Sequence, residues 1–338
     1  MSKHILLLGP LPNENPNSVG GATNSFKILT DFFKEKSHPH TVVCLNPSDS
    51  KIKSLLQMSS HYLSRLAQSD IAMLNFNQIG FKYIAPVLYV IAKMLGKQVA
   101  LRIFGGDAVD LYRQSNSLHR WMLRQTVLKS DLVLLQTKMS LDYFKKHTKR
   151  QDWLPTSRYQ PAETKKSNDF QKRFVFISHI KSTKGIDEIL AVKKQLPDDF
   201  IIDLYGPIKE EKYTCLLQGA TCYKGSLKKE EVAEVLSQYD VLLLPTYHEG
   251  EGYPGIIIEA YALGIPCITT DWMAIPEIVK HGETGLLIPP KNSNALKAAI
   301  LSFSEDNYST FHEKAKSHFQ HFDADKINTA LYQKLQAL

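Results

Sequence analysis

The chain has 338 residues, 43% hydrophobic and 22% charged, with a net charge of +7, the make-up of a globular protein long enough for two domains that each bury a core. No apolar run reaches the length of a membrane-spanning helix, and the short run near the N-terminus reads as a first strand rather than the core of a signal peptide. The four cysteines, Cys44, Cys215, Cys222 and Cys267, have no metal-ligand spacing and read as buried thiols of a cytoplasmic protein, neither a disulfide set nor a zinc site.

In chain order, the first half offers strands at His4 to Leu8, Thr41 to Leu45, Ile71 to Asn75, Gln98 to Phe104 and Asp131 to Gln136, separated by stretches of helical spacing. After the first strand comes a Pro/Asn-rich loop that ends in Gly20-Gly21 and leads into an amphipathic helix. A glycine pair at a helix start lets backbone approach an anion without a Cβ in the way, although such pairs also form plain turns. Residues 82–95 are apolar nearly all round and read as a helix buried against the sheet, with insertion into a membrane interface as the alternative. The fourth strand ends in Gly105-Gly106-Asp107, where the aspartate either caps a turn or faces a ligand. His119, Arg120, Trp121 and Arg124, and the run 145–150, supply basic helical surface.

The second half repeats the alternation with strands at Arg173 to Ile177, Phe200 to Tyr205, Asp240 to Leu244, Pro266 to Thr269 and Gly285 to Ile288. Strands alternating with helices mean a parallel sheet covered on both faces. The expected division is a first domain over 1–160, a polar, Pro-containing linker over 161–172, a second domain over 173–310, and C-terminal helices over 311–338. Charge is divided unevenly: residues 1–160 carry 21 Lys and Arg against 10 Asp and Glu, a net of +11. A basic domain seeks anions. No RNA-binding signature or aromatic platform accompanies the basic residues, so nucleic acid is not an expected partner, and an anionic membrane surface ranks first.

The most informative stretch is Pro245 to Ala260, in which a strand, a Gly-rich turn and a helix start follow one another. The carboxyl end of a strand beside a helix N-terminus favours an anion, because free N–H groups and the helix dipole point the same way. Glu251 precedes the helix and Glu259 lies one turn into it, with seven residues between them. Carboxylates do not bind phosphate, but they accept hydrogen bonds from sugar and ribose hydroxyls, so the combination suggests a nucleotide-sugar site.

Glu251 to Ala260, together with Leu244-Pro245-Thr246, Leu263-Gly264-Ile265-Pro266, Pro276-Glu277 and Gly282 to Leu287, resembles the E-x7-E signature and its context in the family 4 retaining glycosyltransferases, over roughly residues 173–290. The resemblance implies an α/β GT-B fold, in which two Rossmann-like doubly wound domains face each other across a cleft and the last helix returns to the N-terminal domain. It implies Glu251, Asp107 and Lys184 as catalytic residues. Glu251 would contact the donor sugar, Asp107 would sit near the acceptor hydroxyl, and Lys184 would neutralise the departing diphosphate. Donor contacts would come from Gly20, Gly21, His179, Lys181, Lys184, Gly206, Leu227, Gly255, Ile256 and Glu259, the last on the ribose. No metal or other cofactor is expected, since preorganised donors replace it.

Three departures from the pattern mark this chain. His179 stands where the family has an arginine, so either Lys181 or His179 takes over that charge. Two extra residues between Pro245 and Glu251 make Glu249 a competitor for the first glutamate role, although spacing favours Glu251. Met273-Ala274 replaces glycines before Pro276. The look-alikes within the family build bacterial capsule, exopolysaccharide or O-antigen units. The expected activity is therefore sugar transfer from a UDP or GDP sugar to a lipid-linked or oligosaccharide acceptor, by a cytoplasmic protein peripheral on the inner leaflet. A non-catalytic nucleotide-sugar-binding scaffold is the alternative. An NAD-dependent oxidoreductase is a distant third, because Gly9 and Gly20-Gly21 lack the G-x-G-x-x-G spacing.

Overall fold

The computed structural model describes residues 2–12, 20–44, 62–77, 79–161 and 169–338. The chain divides into two compact units, one comprising Met1–Ser157 with Ala324–Leu338 and the other Arg158–Asp323. It therefore passes between units twice, at Ser157/Arg158 and at Asp323/Ala324. Of the expected linker 161–172, and of the loop before Gly20, residues 162–168 and 13–19 lie outside the described residues, as does Leu45 at the end of an expected strand.

The first unit is built on an all-parallel sheet of six strands, β1 (Ile5–Gly9), β2 (His40–Cys44), β3 (Ile71–Phe76), β4 (Gln98–Ile103), β5 (Leu132–Leu135) and β6 (Gln151–Trp153), in the order β2-β1-β3-β4-β5-β6. Side chains alternate between faces along a strand, and β1 shows the result. Leu6 and Leu8 join one core with Leu74, Leu101 and Phe144, while Ile5 and Leu7 join the other with Phe26, Phe33 and Met73. Both faces are covered, which is why the strands read as continuous apolar runs rather than alternating ones. The sequence reading missed β6, a three-residue edge strand with no fully buried side chain.

Helix α1 (Gly21–Glu35) covers the second face, and so does the C-terminal helix of the chain, Ala324–Gln336. Leu331 and Leu335 of that helix are buried in the core that contains Phe32 and Phe33, each contributing about 2 kcal/mol by removal from water. Tyr332 stacks on His38 with ring centroids 3.6 Å apart, and Lys334 pairs with Asp152.

The opposite face carries a π-helical turn, Gly80–Ile84, that continues into α2 (Ala85–Met94). This segment is not buried all round, as its apolarity suggested. Ala85, Pro86, Leu88, Tyr89 and Ala92 face the core, whereas Ile79, Tyr83, Val87, Val90 and Met94 are exposed, Met94 by 81%. The cysteine expectation also needs correction: Cys222 and Cys267 are buried, but Cys44 and Cys215 are exposed.

The second unit has a five-stranded parallel sheet, β7 (Arg173–Ile177), β8 (Ile201–Tyr205), β9 (Val241–Leu244), β10 (Cys267–Thr270) and β11 (Gly285–Ile288), ordered β11-β10-β9-β7-β8. The order reverses between β7 and β9, which lie side by side although β8 separates them in sequence. Ligands collect outside the carboxyl ends of strands at such a switch point.

Candidate functional site: the carboxyl ends of β7 and β9

The loop after β7 makes a short 3-10 turn, Ser182–Lys184, and ends at Gly185, whose φ is +80°. A Cβ at Gly185 would lie 2.3 Å from the carbonyl oxygen of Pro245, just after β9. Only glycine lets the two loops pack this closely. The next loop, after β8, repeats the device: Gly206 has φ +138°, and a Cβ there would meet the Ser178 carbonyl oxygen at 1.8 Å. The Gly206 amide donates to the Gly225 carbonyl at 2.8 Å and its own carbonyl accepts from Tyr223 Oη at 3.0 Å. Gly206 therefore shapes the turn with both backbone polar groups engaged inside the protein. Leu227, two residues beyond Gly225, is half-buried.

This packing places Lys184 beside Glu251. Lys184 Nζ and Glu251 Oε2 form an ion pair, with both side chains about one-tenth exposed. Thr246 Oγ1 lies 2.9 Å from the same carboxylate oxygen. Around the pair stand Lys181, His179 and His248, and Lys181 Nζ donates to His248 Nδ1 at 3.3 Å. Basic groups so close suppress one another's protonation. Burial first, then Lys209, Lys181, Lys184 and His248, lower the pKa of His179. Burial followed by Lys184 and Lys181 lowers that of His248, against the opposing pull of Glu251 and Glu249. Burial and Lys184 also lower Lys181, with Glu251 and Glu210 acting in the other direction. Glu249, the competing first glutamate, is exposed, whereas Glu251 is held by Lys184 and Thr246.

Helix α9 (Gly255–Ala262, named in chain order after the intervening helices α3 to α8 at Ala108–Gln114, Ser117–Gln125, Lys138–Phe144, Ile186–Lys193, Glu211–Leu217 and Val232–Leu236) starts behind Pro254 with no side-chain cap. The Gly255 and Ile256 amides are among the first N–H groups of a helix, which have no partner one turn back within it. Glu259 lies four residues after Gly255, on the same helix face. Its carboxylate accepts from Arg158 Nε at 2.5 Å. The Arg158 guanidinium also covers Gly255, where a Cβ would fall 1.7 Å from Nη2. Tyr253 Oη donates to Glu277 at 2.5 Å, and Trp272 Nε1 donates to the His248 carbonyl at 3.0 Å, so the turn is tied to the segment after β10.

In the first unit, Gly20 caps α1, and its N–H donates to Thr23 Oγ1 at 2.8 Å. Gly20 and Gly21 are exposed, and a Cβ at either would meet nothing within 4 Å among the described residues. Asp107 precedes α3. It makes no side-chain cap bond, and its buried Oδ1 has no hydrogen-bond partner among the described residues. Burial, with a smaller contribution from Asp110, raises its pKa. Among the described residues, no group of three His, Cys, Asp or Glu side chains is placed to hold a metal ion.

The second unit thus brings together His179, Lys181, Lys184 and Glu251, and adjoins to them Gly255, Ile256 and Glu259 through the turn 252–254. Arg158 is the residue that sequence reading missed. It lies at the end of the expected first domain, 1–160, although it opens the second unit, and no periodicity or motif points to it.

Residues 160–318 match the family described as Glycosyl transferases group 1. WcaL of Escherichia coli K12, named for colanic acid biosynthesis, is 29% identical over 181 residues, covering 48% of this chain and 45% of its own. The amylovoran biosynthesis glycosyltransferase AmsK of Erwinia amylovora is 30% identical over 146 residues, covering 39% and 36%. The chain thus spans under half the length of these curated relatives. The crystal structure of HepE from Anabaena in complex with UDP superposes with a TM-score of 0.77 at 16% identity over 99% of this chain and all of the other. The same protein in complex with UDP-glucose gives 0.74. The chain has the GT-B fold, and residues 160–318, within its second unit, are similar to the group 1, or family 4, glycosyltransferases.

Proposed function

We propose that the chain transfers a hexose or related sugar, with retention at the anomeric carbon, from a nucleoside diphosphate to a hydroxyl of a lipid-linked or oligosaccharide acceptor in surface polysaccharide synthesis. The observation that carries this reading is the Lys184–Glu251 pair with Lys181, His179 and His248 gathered around it, in the loops that precede α9. In such a transfer the sugar gains oxocarbenium character while negative charge builds on the departing phosphate. Lys184, Lys181 and the amides of Gly255 and Ile256 hold that phosphate. Glu251 accepts from sugar hydroxyls, and Glu259 from the ribose. Burial and the neighbouring lysines lower the pKa of His179, which favours Lys181 over His179 as the substitute for the family arginine. Asp107, with its unpartnered oxygen and raised pKa, suits the acceptor hydroxyl. The HepE complexes favour UDP as the carrier.

A membrane surface is the second part of the proposal. The exposed stripe Ile79, Tyr83, Val87, Val90 and Met94 is continued by Leu118 and Trp121 on α4, and His119 bonds the Lys82 carbonyl at 2.9 Å to join the two segments. Lys82, Arg120 and Arg124 lie on the same segments. An apolar stripe with basic neighbours in a domain of net charge +11 fits an anionic bilayer. Flotation with phosphatidylglycerol vesicles is expected for the wild type and lost in Met94→Ser/Trp121→Ser; equal flotation of both removes this part.

Thermal unfolding against UDP, GDP, ADP and NAD tests the donor site. A nucleoside diphosphate at a hundred times its Kd adds about 2.7 kcal/mol of stability, and Glu259→Ala abolishes the response. Stabilisation by NAD alone, or by nothing, defeats the reading. Binding without any turnover on sugar nucleotides would assign the chain to non-catalytic binders, a reading favoured by His179 in place of the family arginine.

A further inference from the structure

Arg158 is the first residue of the second unit, and the site just described gives it a place no motif assigns. Its backbone N–H donates to the Phe322 carbonyl at 3.0 Å, and the residue forms a β-bridge with Asp323. The two strands of chain that leave this unit are therefore bonded to each other at Arg158. Phe322 meets Tyr253 edge-on, with ring centroids 6.4 Å apart, immediately before α9. From this anchored backbone the side chain runs to the helix start. The side chain is 7% exposed, Nε bonds Glu259 and Nη2 lies over Gly255.

A buried cation near a helix N-terminus opposes the helix dipole and loses its hydration. Glu259 offsets both costs, and the hydrogen bond in turn restricts the carboxylate. The Glu259 side chain is 25% exposed, so it is held by Arg158 without being sealed from solvent. Gly255 is required by this arrangement, because a methyl group there would occupy the space of Nη2.

We propose that Arg158 is a positioning residue for the donor: it fixes the Glu259 carboxylate in the orientation that receives the ribose hydroxyls. The inference rests on the donor-site reading above. A lysine does not replace it, since an ammonium is a point charge without the planar fork that both bonds Glu259 and covers Gly255.

The test compares a nucleoside diphosphate with its 2′-deoxy counterpart by calorimetry, using UDP, GDP and ADP as probes. In the wild type, loss of the 2′-hydroxyl is expected to weaken binding about tenfold, the worth of a hydrogen bond to a charged group. Arg158→Met and Arg158→Lys should bring that ratio to about twofold or less, as should Glu259→Gln, and the double variant Arg158→Met/Glu259→Gln should be no worse than Glu259→Gln alone. Gly255→Ala, with Arg158 intact but displaced, should reproduce the loss. A merely structural role for Arg158 weakens both nucleotides equally and leaves the ratio at its wild-type value. If Glu259→Gln collapses the ratio while Arg158→Met and Arg158→Lys retain it, this inference is overturned and the donor-site reading stands. If the wild type binds none of the diphosphates, both fall together.

Discussion

The glycines at the two candidate phosphate loops are there for different reasons. In the second unit, Gly185 and Gly206 have positive φ, and a Cβ at either would strike a backbone carbonyl oxygen. The fold itself demands them, because loops from neighbouring strands pack against each other there. In the first unit, Gly20 and Gly21 are exposed, and a Cβ at either would meet nothing within 4 Å among the described residues. The described residues make no demand for glycine at that place. Buried charge follows the same contrast. Lys184 and Arg158 are paired with the two motif glutamates, whereas Asp107 keeps a buried oxygen without a partner among the described residues. One unit pairs these buried charges internally, and in the other a buried carboxylate oxygen has no hydrogen-bond partner among the described residues.

The strongest way to break this contrast is Lys184→Met. It strands Glu251 as a largely buried carboxylate, and loss of one member of a buried pair costs about 3 to 5 kcal/mol. Denaturant unfolding should show a loss of that order together with lost nucleotide stabilisation. A loss under 1 kcal/mol would mean the pair is solvated and not prebuilt. Gly206→Ala comes next, with an expected cost of about 2 to 4 kcal/mol from strain and a backbone clash. Gly21→Ala is its counterpart. At the first position of α1 it should be neutral or stabilising by up to about 1 kcal/mol, while weakening UDP binding if the donor phosphate approaches that backbone. Unchanged UDP affinity in Gly20→Ala/Gly21→Ala would remove the first unit's glycines from the donor site.

The smallest expected effect is in pH. His179 and His248 have folded pKa values below their ordinary 6.5, so the unfolded chain binds more protons than the folded one between those lowered values and 6.5. Their contribution to stability is present above 6.5 and is lost as pH falls towards the lowered values. A bound diphosphate raises both pKa values, so donor binding takes up protons. UDP affinity should rise about twofold to fivefold between pH 7.5 and 6 while the melting temperature of the free protein falls. Affinity that is flat with pH would place the histidines away from the phosphates.

Much of this was legible in the sequence because the signals were local. Ten strands were found within a residue or so, since parallel strands covered on both faces are apolar runs that end at turn residues. The choice of Glu251 over Glu249 came from spacing, and the structure adds a partner for Glu251 and exposure for Glu249. The segment 82–95 misled because hydrophobicity alone does not tell a buried face from one awaiting another apolar surface. The cysteines misled similarly, as their apolar neighbours did not predict exposure of Cys44 and Cys215. β6 carried too few apolar residues to register as a strand.

By itself the sequence determined the two α/β halves, the strand-turn-helix element with its two glutamates, and the basic character of the first 160 residues. These depend on residue type and short-range spacing. Only the tertiary structure decided which charges meet. Lys184 reaches Glu251 because β7 and β9 are neighbours in the sheet although β8 lies between them in the chain. Arg158 reaches Glu259 across 101 residues. An ion pair between distant elements is set by sheet order and by where the chain crosses between units, and no local pattern encodes either.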